Sequence, residues 1–278
     1  MDAAKITRRS KSNLALAFVS LGKERRRDVT TFYAFCRLID DIADSTQFSV
    51  EEKAEGLAAW RKWLAQPCEG EDPLASEVRA LIAKYQLMPA MLEEIITGVE
   101  MDLRKVRYAN FEELRLYCCH VASAVGLVSI EIFGYKNPRC QEYAIDLGLA
   151  LQTTNIIRDV GKDMRSGRIY LPQDEMARFG YSELELLKAE YNKRFVALME
   201  FQAKRSDQFY DSAAALLPAE DRAPMVAAEI MSAVYRKLLR KIEADRFRVF
   251  EKDYRLNRVQ KTALIAAQFF RRKERGAI

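Results

Sequence analysis

Apolar residues recur at intervals of three and four along almost the whole chain, which is the spacing of amphipathic α-helices. This pattern predicts helices over residues 24–45, 50–65, 74–86, 89–106, 111–134, 140–165, 183–216, 220–247 and 258–273. The breaks fall at proline- and glycine-containing segments such as PCEGEDP (67–73) and GYKNP (134–138). Only the short run RIYL (168–171) suggests a strand, and no repeat or long linker is visible. The sequence therefore predicts one all-α domain over residues 1–278.

One predicted helix carries an acidic stripe inside an apolar segment, FYAFCRLIDDIADS (32–45). At 3.6 residues per turn, one narrow face holds Tyr33, Arg37, Asp40, Asp41 and Asp44. The remaining circumference is almost entirely apolar, which indicates an interior helix. The acidic stripe must then face an internal cavity.

A second stripe lies on the helix that contains LGLALQTTNIIRDVGKDM (147–164), where Gln152, Asn155, Asp159 and Asp163 share one face. Uncompensated carboxylates in an apolar interior cost several kcal/mol each. Hard divalent cations compensate such charges, and ligation by carboxylate and amide oxygens suits Mg²⁺, which also binds phosphates. A single DxxxD pattern is usually a solvated face. Two such patterns on interior helices favour a magnesium and diphosphate site.

Composition narrows the alternatives. The net charge is only +5, and the basic runs at 23–27 and 271–275 lack the interleaved aromatic residues that stack on bases, which argues against nucleic acid. Five cysteines without a CxxC pair indicate reduced thiols and a cytoplasmic protein. A single histidine, His120, argues against a His-rich zinc site or a Ser-His-Asp triad.

The N-terminus has basic residues followed by apolar LALAFVSL, but the basic cluster KERRR stands where a signal peptide would be cleaved, which favours a helix. No window reaches about 18 uninterrupted apolar residues, so any membrane contact is expected to be peripheral.

Three blocks of the chain resemble the squalene/phytoene synthase family of trans-isoprenyl diphosphate synthases. They are YAFCRLIDDIAD, LYCCHVASAVGLVSIEIFGY and NIIRDVGKDMRSGRIYLPQDE, in the family's order, within a match from RSKS (9–12) to RLNRVQKTAL (255–264). The resemblance implies an all-α isoprenoid-synthase bundle around a central apolar cavity. It also implies head-to-head (1′–1) condensation of two prenyl diphosphates to a cyclopropylcarbinyl diphosphate, which some members rearrange to a C30 or C40 hydrocarbon.

The same resemblance implies residue roles. Two or three Mg²⁺ ions would be held by Asp40, Asp44, Asn155, Asp159 and Asp163. Diphosphate contacts would come from Ser10, Ser12, Arg37, Gln152, Tyr235 and Lys261. Tyr33 and Tyr117 would steady cationic intermediates, whereas Val121, Ala122, Val125 and Gly126 would pack helices closely or form the cavity wall. Gln260–Lys261 stands in place of the family's basic pair, so Arg255 and Arg258 are alternatives to Lys261.

Within the family, the central block and the compact length look most like bacterial presqualene diphosphate synthases. This favours farnesyl diphosphate (C15) as substrate, with geranylgeranyl diphosphate (C20) and a phytoene synthase activity as the alternative. NADPH would be needed only if the reaction continued to squalene. A non-catalytic binding or assembly protein with the same fold is an alternative of another class. The segment TALIAAQFFRRKERGAI (262–278) is expected to form a core helix with a solvated tail, or else a weak anchor at the inner face of the membrane. The pattern leaves the oligomeric state open.

Overall fold

The computed structural model describes residues 17–275, with side chains described for residues 17–268. All the regular elements in this part of the chain are helical, and no strand occurs in it. We number the α-helices α1 (Lys23–Asp44), α2 (Val50–Ala65), α3 (Pro73–Tyr85), α4 (Pro89–Arg104), α5 (Phe111–Cys118), α6 (Ala124–Phe133), α7 (Cys140–Arg165), α8 (Gln173–Arg178), α9 (Glu183–Leu187), α10 (Lys193–Leu216), α11 (Val226–Ala244) and α12 (Arg258–Arg275). The prediction of an all-α fold is confirmed.

The predicted helix over 183–216 is divided in the structure. Helix α9 ends at Leu187, and Ala189 then adopts a left-handed backbone conformation with φ 53°. The side chain of Asn192 starts α10 by accepting hydrogen bonds from the backbone N–H groups of Arg194 and Phe195. Local turn and capping geometry therefore overrides the continuous apolar periodicity of this segment.

Two further boundaries differ from the sequence pattern. The helix predicted over 220–247 begins only at Val226, after a short 3₁₀ turn at Ala219–Asp221. The run RIYL is extended but forms no sheet, and the Ile169 N–H donates to the carbonyl oxygen of Val106 at 3.0 Å. Helix α8 follows directly after it and was not predicted.

Helices α7 and α10 form the central antiparallel pair. The Ser206 hydroxyl donates to Thr153 Oγ1 at 2.8 Å, and the hydroxyls of Thr154 and Tyr210 lie 3.0 Å apart, all of them buried. Each buried hydroxyl on α7 that faces α10 thus has a partner, as a low-dielectric interface requires. This pairing fixes the rotation of α7 and leaves its Gln152–Asp163 face turned away from α10.

Helices α5 and α6 are joined by a five-residue π-helical turn, Cys119–Ser123. The continuous segment Phe111–Phe133 is long and apolar enough to cross a membrane by length and composition. No such segment was predicted from the sequence, because the stretch between Arg115 and Glu131 is shorter than about 18 residues. In the structure this segment packs against α4 and α7 and forms an inner wall of the bundle.

The last helix, α12, packs on α11. Leu264 and Ile265 are half-buried against the core, as the core-helix interpretation of this segment expects. The side chain of Phe269 lies outside the part of the chain whose side chains the structure describes.

Candidate active site

The two acidic stripes face a single cavity. Its volume is about 240 Å³, and the predicted site residues on its wall are Asp40, Asp44, Tyr117, Gln152, Asn155, Asp159 and Asp163. The rest of the wall consists of Ala43, Val99, Asp102, Ile156, Arg158, Arg168 and Tyr170. Helices α1 and α7 therefore meet across one space, as their polar faces predict.

The first stripe is supported by an apolar helix. Val29, Phe32, Phe35 and Ile39 of α1 are buried, so the helix is interior as its pattern predicts. Burial raises the pKa of Asp40 to about 7; Arg37 opposes this shift, and the neighbouring charge of Asp44 adds to it. The Asp40 carboxylate nevertheless faces the solvent-accessible cavity, where water moderates the shift.

The second acid of this stripe is compensated from the far side of the cavity. The Arg168 guanidinium, in the segment after α7, lies 3.0 Å from Asp44 Oδ1. This ion pair joins the two halves of the site directly. Asp40 is then the acid of this stripe that makes no ion pair with any described residue.

On the second stripe, the Arg158 guanidinium donates two hydrogen bonds to the Asp159 carboxylate, with its Nε 2.9 Å from Asp159 Oδ1. Asp163 has no such partner. Burial, and then the charge of Asp159, raise the pKa of Asp163 to about 7 against the opposing effects of Lys162 and Arg168. Each stripe thus contains one acid with a raised pKa, Asp40 or Asp163. The other acids are paired with arginine, namely Asp41 and Asp44 on α1 and Asp159 on α7.

Three of the acids also lie at the unfavourable ends of helices. Asp44 is the last residue of α1, Asp102 lies in the last turn of α4, and Asp163 lies in the last turn of α7. Helix C-termini carry partial negative charge, so carboxylates there are destabilising. Three such acids around one cavity indicate a site built for a cation.

Asp102 lies between the stripes. Its Oδ2 accepts a hydrogen bond from Tyr117 at 2.9 Å, and its Oδ1 accepts one from Tyr170 at 2.7 Å. Burial raises the pKa of Asp102, whereas these two hydrogen bonds oppose the shift. The rings of Tyr117 and Tyr170 stack with centroids 5.2 Å apart, which holds both hydroxyls against the carboxylate.

The donor set fits a hard divalent cation. The side-chain Oδ1 of Asn155 is buried and has no hydrogen-bond partner among the described residues, while its Nδ2 donates to Gln152 at 3.4 Å. A buried oxygen without a partner is costly unless a ligand completes it. Within residues 17–268 no three acidic, cysteine or histidine side chains are close enough to form a preformed metal cluster. Such a site suits ions that bridge separated carboxylates through phosphate and water, as Mg²⁺ does.

A family model decides the identity. The model of the family described as "Squalene/phytoene synthase" matches residues 7–263, which is most of the chain. The chain belongs to the squalene/phytoene synthase family. Members of this family are prenyltransferases of head-to-head condensation.

Individual relatives agree with this family assignment. The chain is 33% identical over 268 residues to 15-cis-phytoene synthase of Synechococcus elongatus, covering 90% of this chain and 86% of the relative. It is 35% identical to phytoene synthase 1 of Arabidopsis thaliana over 253 residues, which cover 87% of this chain but only 59% of the plant protein. The structure of a dehydrosqualene synthase in complex with ligand matches with a TM-score of 0.86 and 25% identity, covering 98% of this chain and 95% of that one.

Other predicted site residues lie around the cavity rather than on its described wall. Arg37 is half-buried and forms an ion pair with Asp41, one turn along α1. Tyr235 on α11 is hydrogen-bonded to Arg158 and lies within electrostatic range of Tyr33. The ring of Tyr33 contacts Phe18 edge-on, with centroids 6.2 Å apart. These residues form a shell behind Arg158 and Asp40.

The remaining predicted positions are spread more widely. Val121 and Ala122 lie in the π-helical turn and are half-buried. Gly126 allows α6 to approach α7, because a Cβ there would lie 2.9 Å from the Ala144 carbonyl oxygen. Arg258 is exposed at the start of α12, and burial together with Arg255 lowers the pKa of Lys261. Ser10 and Ser12 lie outside the described residues.

The sequence analysis did not single out Asp102, Arg158, Arg168 or Tyr170. Asp102 does carry a signal, because an acid in the last turn of an otherwise amphipathic helix opposes the helix dipole. Arg168 and Tyr170 carry none, because their direction depends on the turn at Gly167, whose φ is 82°.

Proposed function

We propose that this protein condenses two molecules of farnesyl diphosphate head to head, with Mg²⁺, to presqualene diphosphate and inorganic diphosphate. The observation that carries the proposal is the convergence of the α1 and α7 acids, with Asp102, on one cavity of about 240 Å³. The cavity is polar and matches the head groups of the substrates. The prenyl chains would extend past it, along Val99 and the half-buried apolar residues of the π-helical turn.

In this proposal the metal ligands are Asp40 and Asp44 on one side and Asn155, Asp159 and Asp163 on the other. When bound, Mg²⁺ would supply the positive charge that makes diphosphate a competent leaving group. Asn155 would contribute its unpartnered Oδ1, and Gln152 would orient the amide through their mutual hydrogen bond. Burial raises the pKa values of Asp40 and Asp163 to about 7, and both carboxyl groups would have to be deprotonated to hold a cation.

Arginines of the wall would hold the diphosphate oxygens. Arg168 spans the two stripes through Asp44, and Arg158 is oriented by Asp159 and Tyr235. Guanidinium groups suit this task because they bind phosphate bidentately. We assign to Arg37, Ser10, Ser12, Tyr235, Arg258 and Lys261 a second set of phosphate contacts.

Loss of diphosphate from one substrate would leave an allylic cation, whose C1 alkylates C2 of the C2–C3 double bond of the other and leaves a cation at C3. Loss of a proton from that C1, with the released diphosphate as acceptor, would then close the cyclopropane ring onto C3. Tyr117 and Tyr170 present ring faces and an adjacent carboxylate, Asp102, at the cavity wall. Aromatic faces and fixed negative charge both stabilise a nearby cation. We assign this role to Tyr117 with Asp102, and a similar role to Tyr33.

Substrate length is the finer part of the proposal. The resemblance of residues 121–135 to presqualene diphosphate synthases and the TM-score of 0.86 with a dehydrosqualene synthase favour C15. Geranylgeranyl diphosphate is the second candidate, because the relatives from Arabidopsis and Synechococcus are named phytoene synthases. NADPH enters only if presqualene diphosphate is reduced further to squalene.

One experiment separates these candidates. Purified protein is incubated with C15 or C20 diphosphate and Mg²⁺, with and without NADPH, and the products are identified by mass spectrometry. We expect presqualene diphosphate from the C15 substrate, and no turnover with EDTA or in Asp159→Asn. Phytoene from the C20 substrate alone would replace the C15 proposal. Binding without turnover of either substrate would favour a non-catalytic protein, and turnover in EDTA would contradict the metal-dependent mechanism.

A further inference from the structure

Helix α9 and the connection that follows it expose two leucines beside two lysines and one glutamate, Glu190. Leu184 is 61% exposed and Leu187 is 49% exposed, on one side of the short helix α9. Lys188 and Lys193 follow within the next turn of chain, and both are exposed. Exposed leucines next to lysines are typical of surfaces that contact lipid.

A basic pocket is lined in part by residues that follow these leucines along the chain. It has a volume of about 350 Å³ and is lined by Tyr191, Asn192, Lys193, Val196, Arg246 and Arg248. Three of these six side chains are cationic and none is acidic. We call Leu184, Leu187, Lys188 and the residues of this pocket the junction surface.

The pocket cations are largely uncompensated. Within the described side chains, Lys193 and Arg246 make no ion pair with any carboxylate. Arg248 lies over the Tyr191 ring, 4.4 Å from its centroid, and reaches Glu251 at 3.3 Å across exposed surface. The pocket therefore retains a positive charge that an anion would neutralise.

The pocket has a defined backbone. Arg246 and Phe247 both adopt left-handed conformations, with φ 54° and 58°. The Tyr191 hydroxyl donates to the Arg246 carbonyl oxygen at 2.6 Å, and the Phe247 N–H donates to Ile242 at 2.9 Å. Because non-glycine residues adopt this conformation only when their surroundings enforce it, the Arg246 backbone is held in place.

The junction surface lies at the same end of the bundle as the acidic cavity. The backbone of Val249 approaches α7 at Gly161, where a Cβ would lie 2.5 Å from the Val249 oxygen. Gly161 is on the opposite face of α7 from Asp159 and Asp163, two residues away on either side. On the other flank, Arg107 binds both Glu183 of α9 and the carbonyl oxygen of Gly167, next to the cavity residue Arg168.

We propose that the junction surface docks the protein on an anionic lipid bilayer, with a phospholipid phosphate in the basic pocket and Leu184 and Leu187 among the head groups. The charge of the pocket matches an anionic leaflet, and the exposed leucines supply the apolar insertion that a free phosphate would not use. The inference concerns a surface separate from the C-terminal segment, and it holds whichever prenyl diphosphate the enzyme uses.

Vesicle co-flotation tests the proposal with the full-length protein. Vesicles of phosphatidylcholine alone are compared with vesicles of equal parts phosphatidylcholine and phosphatidylglycerol. We expect preferential binding to the anionic vesicles, and in Lys193→Gln/Arg246→Gln a drop in partition coefficient of roughly 25-fold, about fivefold per charge. Leu184→Ser/Leu187→Ser should weaken binding as well.

The matched control is Lys136→Gln/Arg139→Gln, which removes two exposed cations at the N-terminal end of α7, away from the junction surface. This control should bind anionic vesicles like the unaltered protein, and all variants should keep the same thermal unfolding midpoint. Equal binding to both vesicle types would overturn the proposal. So would loss of binding in Arg271→Gln/Arg272→Gln together with full binding in the pocket variant, which would assign docking to the C-terminal segment. A pocket that binds inorganic phosphate without binding vesicles would also overturn it.

Discussion

The α1 and α7 stripes solve the same electrostatic problem in different ways. On α7, Asp159 is neutralised by its own neighbour Arg158, so half of that stripe is compensated within one helix. On α1, Asp44 is neutralised by Arg168, which lies 124 residues away in the sequence. The α7 stripe is therefore paired locally. On α1 the local pair Arg37–Asp41 leaves Asp44 dependent on the fold bringing Arg168 to it.

This difference makes Arg168 the residue that couples the two halves of the site. The acids left without an arginine, Asp40 and Asp163, face each other's stripe and both have a raised pKa. A cation between the stripes would relieve both shifts at once. Substitutions of Arg168, Asp40 and Asp163 can test these different roles.

The largest effect is expected from Asp40→Asn. This change removes an inward-facing carboxylate, and we expect kcat/KM to fall by roughly 10²–10³, as for the loss of one preorganised electrostatic group. Asp41→Asn on the same turn is the matched control, because Asp41 pairs with Arg37 and is not among the residues that line the cavity. It should cost less than about tenfold. Steady-state kinetics at saturating Mg²⁺ make the comparison, and equal losses at the two positions would contradict the inward orientation of Asp40.

A smaller loss is expected from Arg168→Gln. We expect kcat/KM to fall about ten- to a hundredfold, the range for a hydrogen bond to a charged group. The acidic limb of the pH profile should also move to higher pH, because Arg168 opposes the rise in the pKa of Asp163 and Asp102. The control is Arg165→Gln, an exposed arginine three residues earlier. A pH profile that does not move would mean that Arg168 acts only as a structural residue.

The periodicity of the helices explains why both stripes were predictable from the sequence. A 3.6-residue repeat fixes which side chains share a face, and surrounding apolar residues fix that this face points inward. Arg168, Tyr170 and the division at Ala189 follow instead from turns with left-handed residues, whose direction the repeat does not encode. The wall residues between the stripes were missed because they come from helix ends and loops.

In the absence of metal, Asp163 should make the free energy of unfolding depend on pH. Its pKa is about 7 in the folded state against 3.8 for the ordinary carboxyl, so the folded state binds more protons between these values. The unfolding free energy therefore falls as pH rises from about 4 to about 7 and stays low above this range. In EDTA, Asp163→Asn should gain about 1–2 kcal/mol at pH 8, after allowance for solvent screening.

Urea unfolding at pH 4.5 and pH 8 measures this gain. Little or no gain is expected at pH 4.5, where the folded-state carboxyl is already protonated. Adding Mg²⁺ at pH 8 should stabilise the unaltered protein more than the variant. A gain of the same size at both pH values would show that the substitution acts through packing and not through charge.

The smallest effect on stability is expected from removing single hydroxyl groups from the tyrosines near Asp102. Tyr108 is fully buried and its hydroxyl has no hydrogen-bond partner among the described residues, although its ring stacks on Tyr170 with centroids 5.8 Å apart. Tyr108→Phe keeps the ring and removes a buried polar group that makes no bond, so we expect unchanged kcat and a stability gain below about 1 kcal/mol. Tyr170→Phe is the matched change, since it removes the 2.7 Å hydrogen bond to Asp102, and it should lose about 1 kcal/mol of stability. Thermal unfolding of the two variants gives the comparison. Destabilisation by Tyr108→Phe would reveal that its hydroxyl has a partner, such as a bound water that joins it to the cavity.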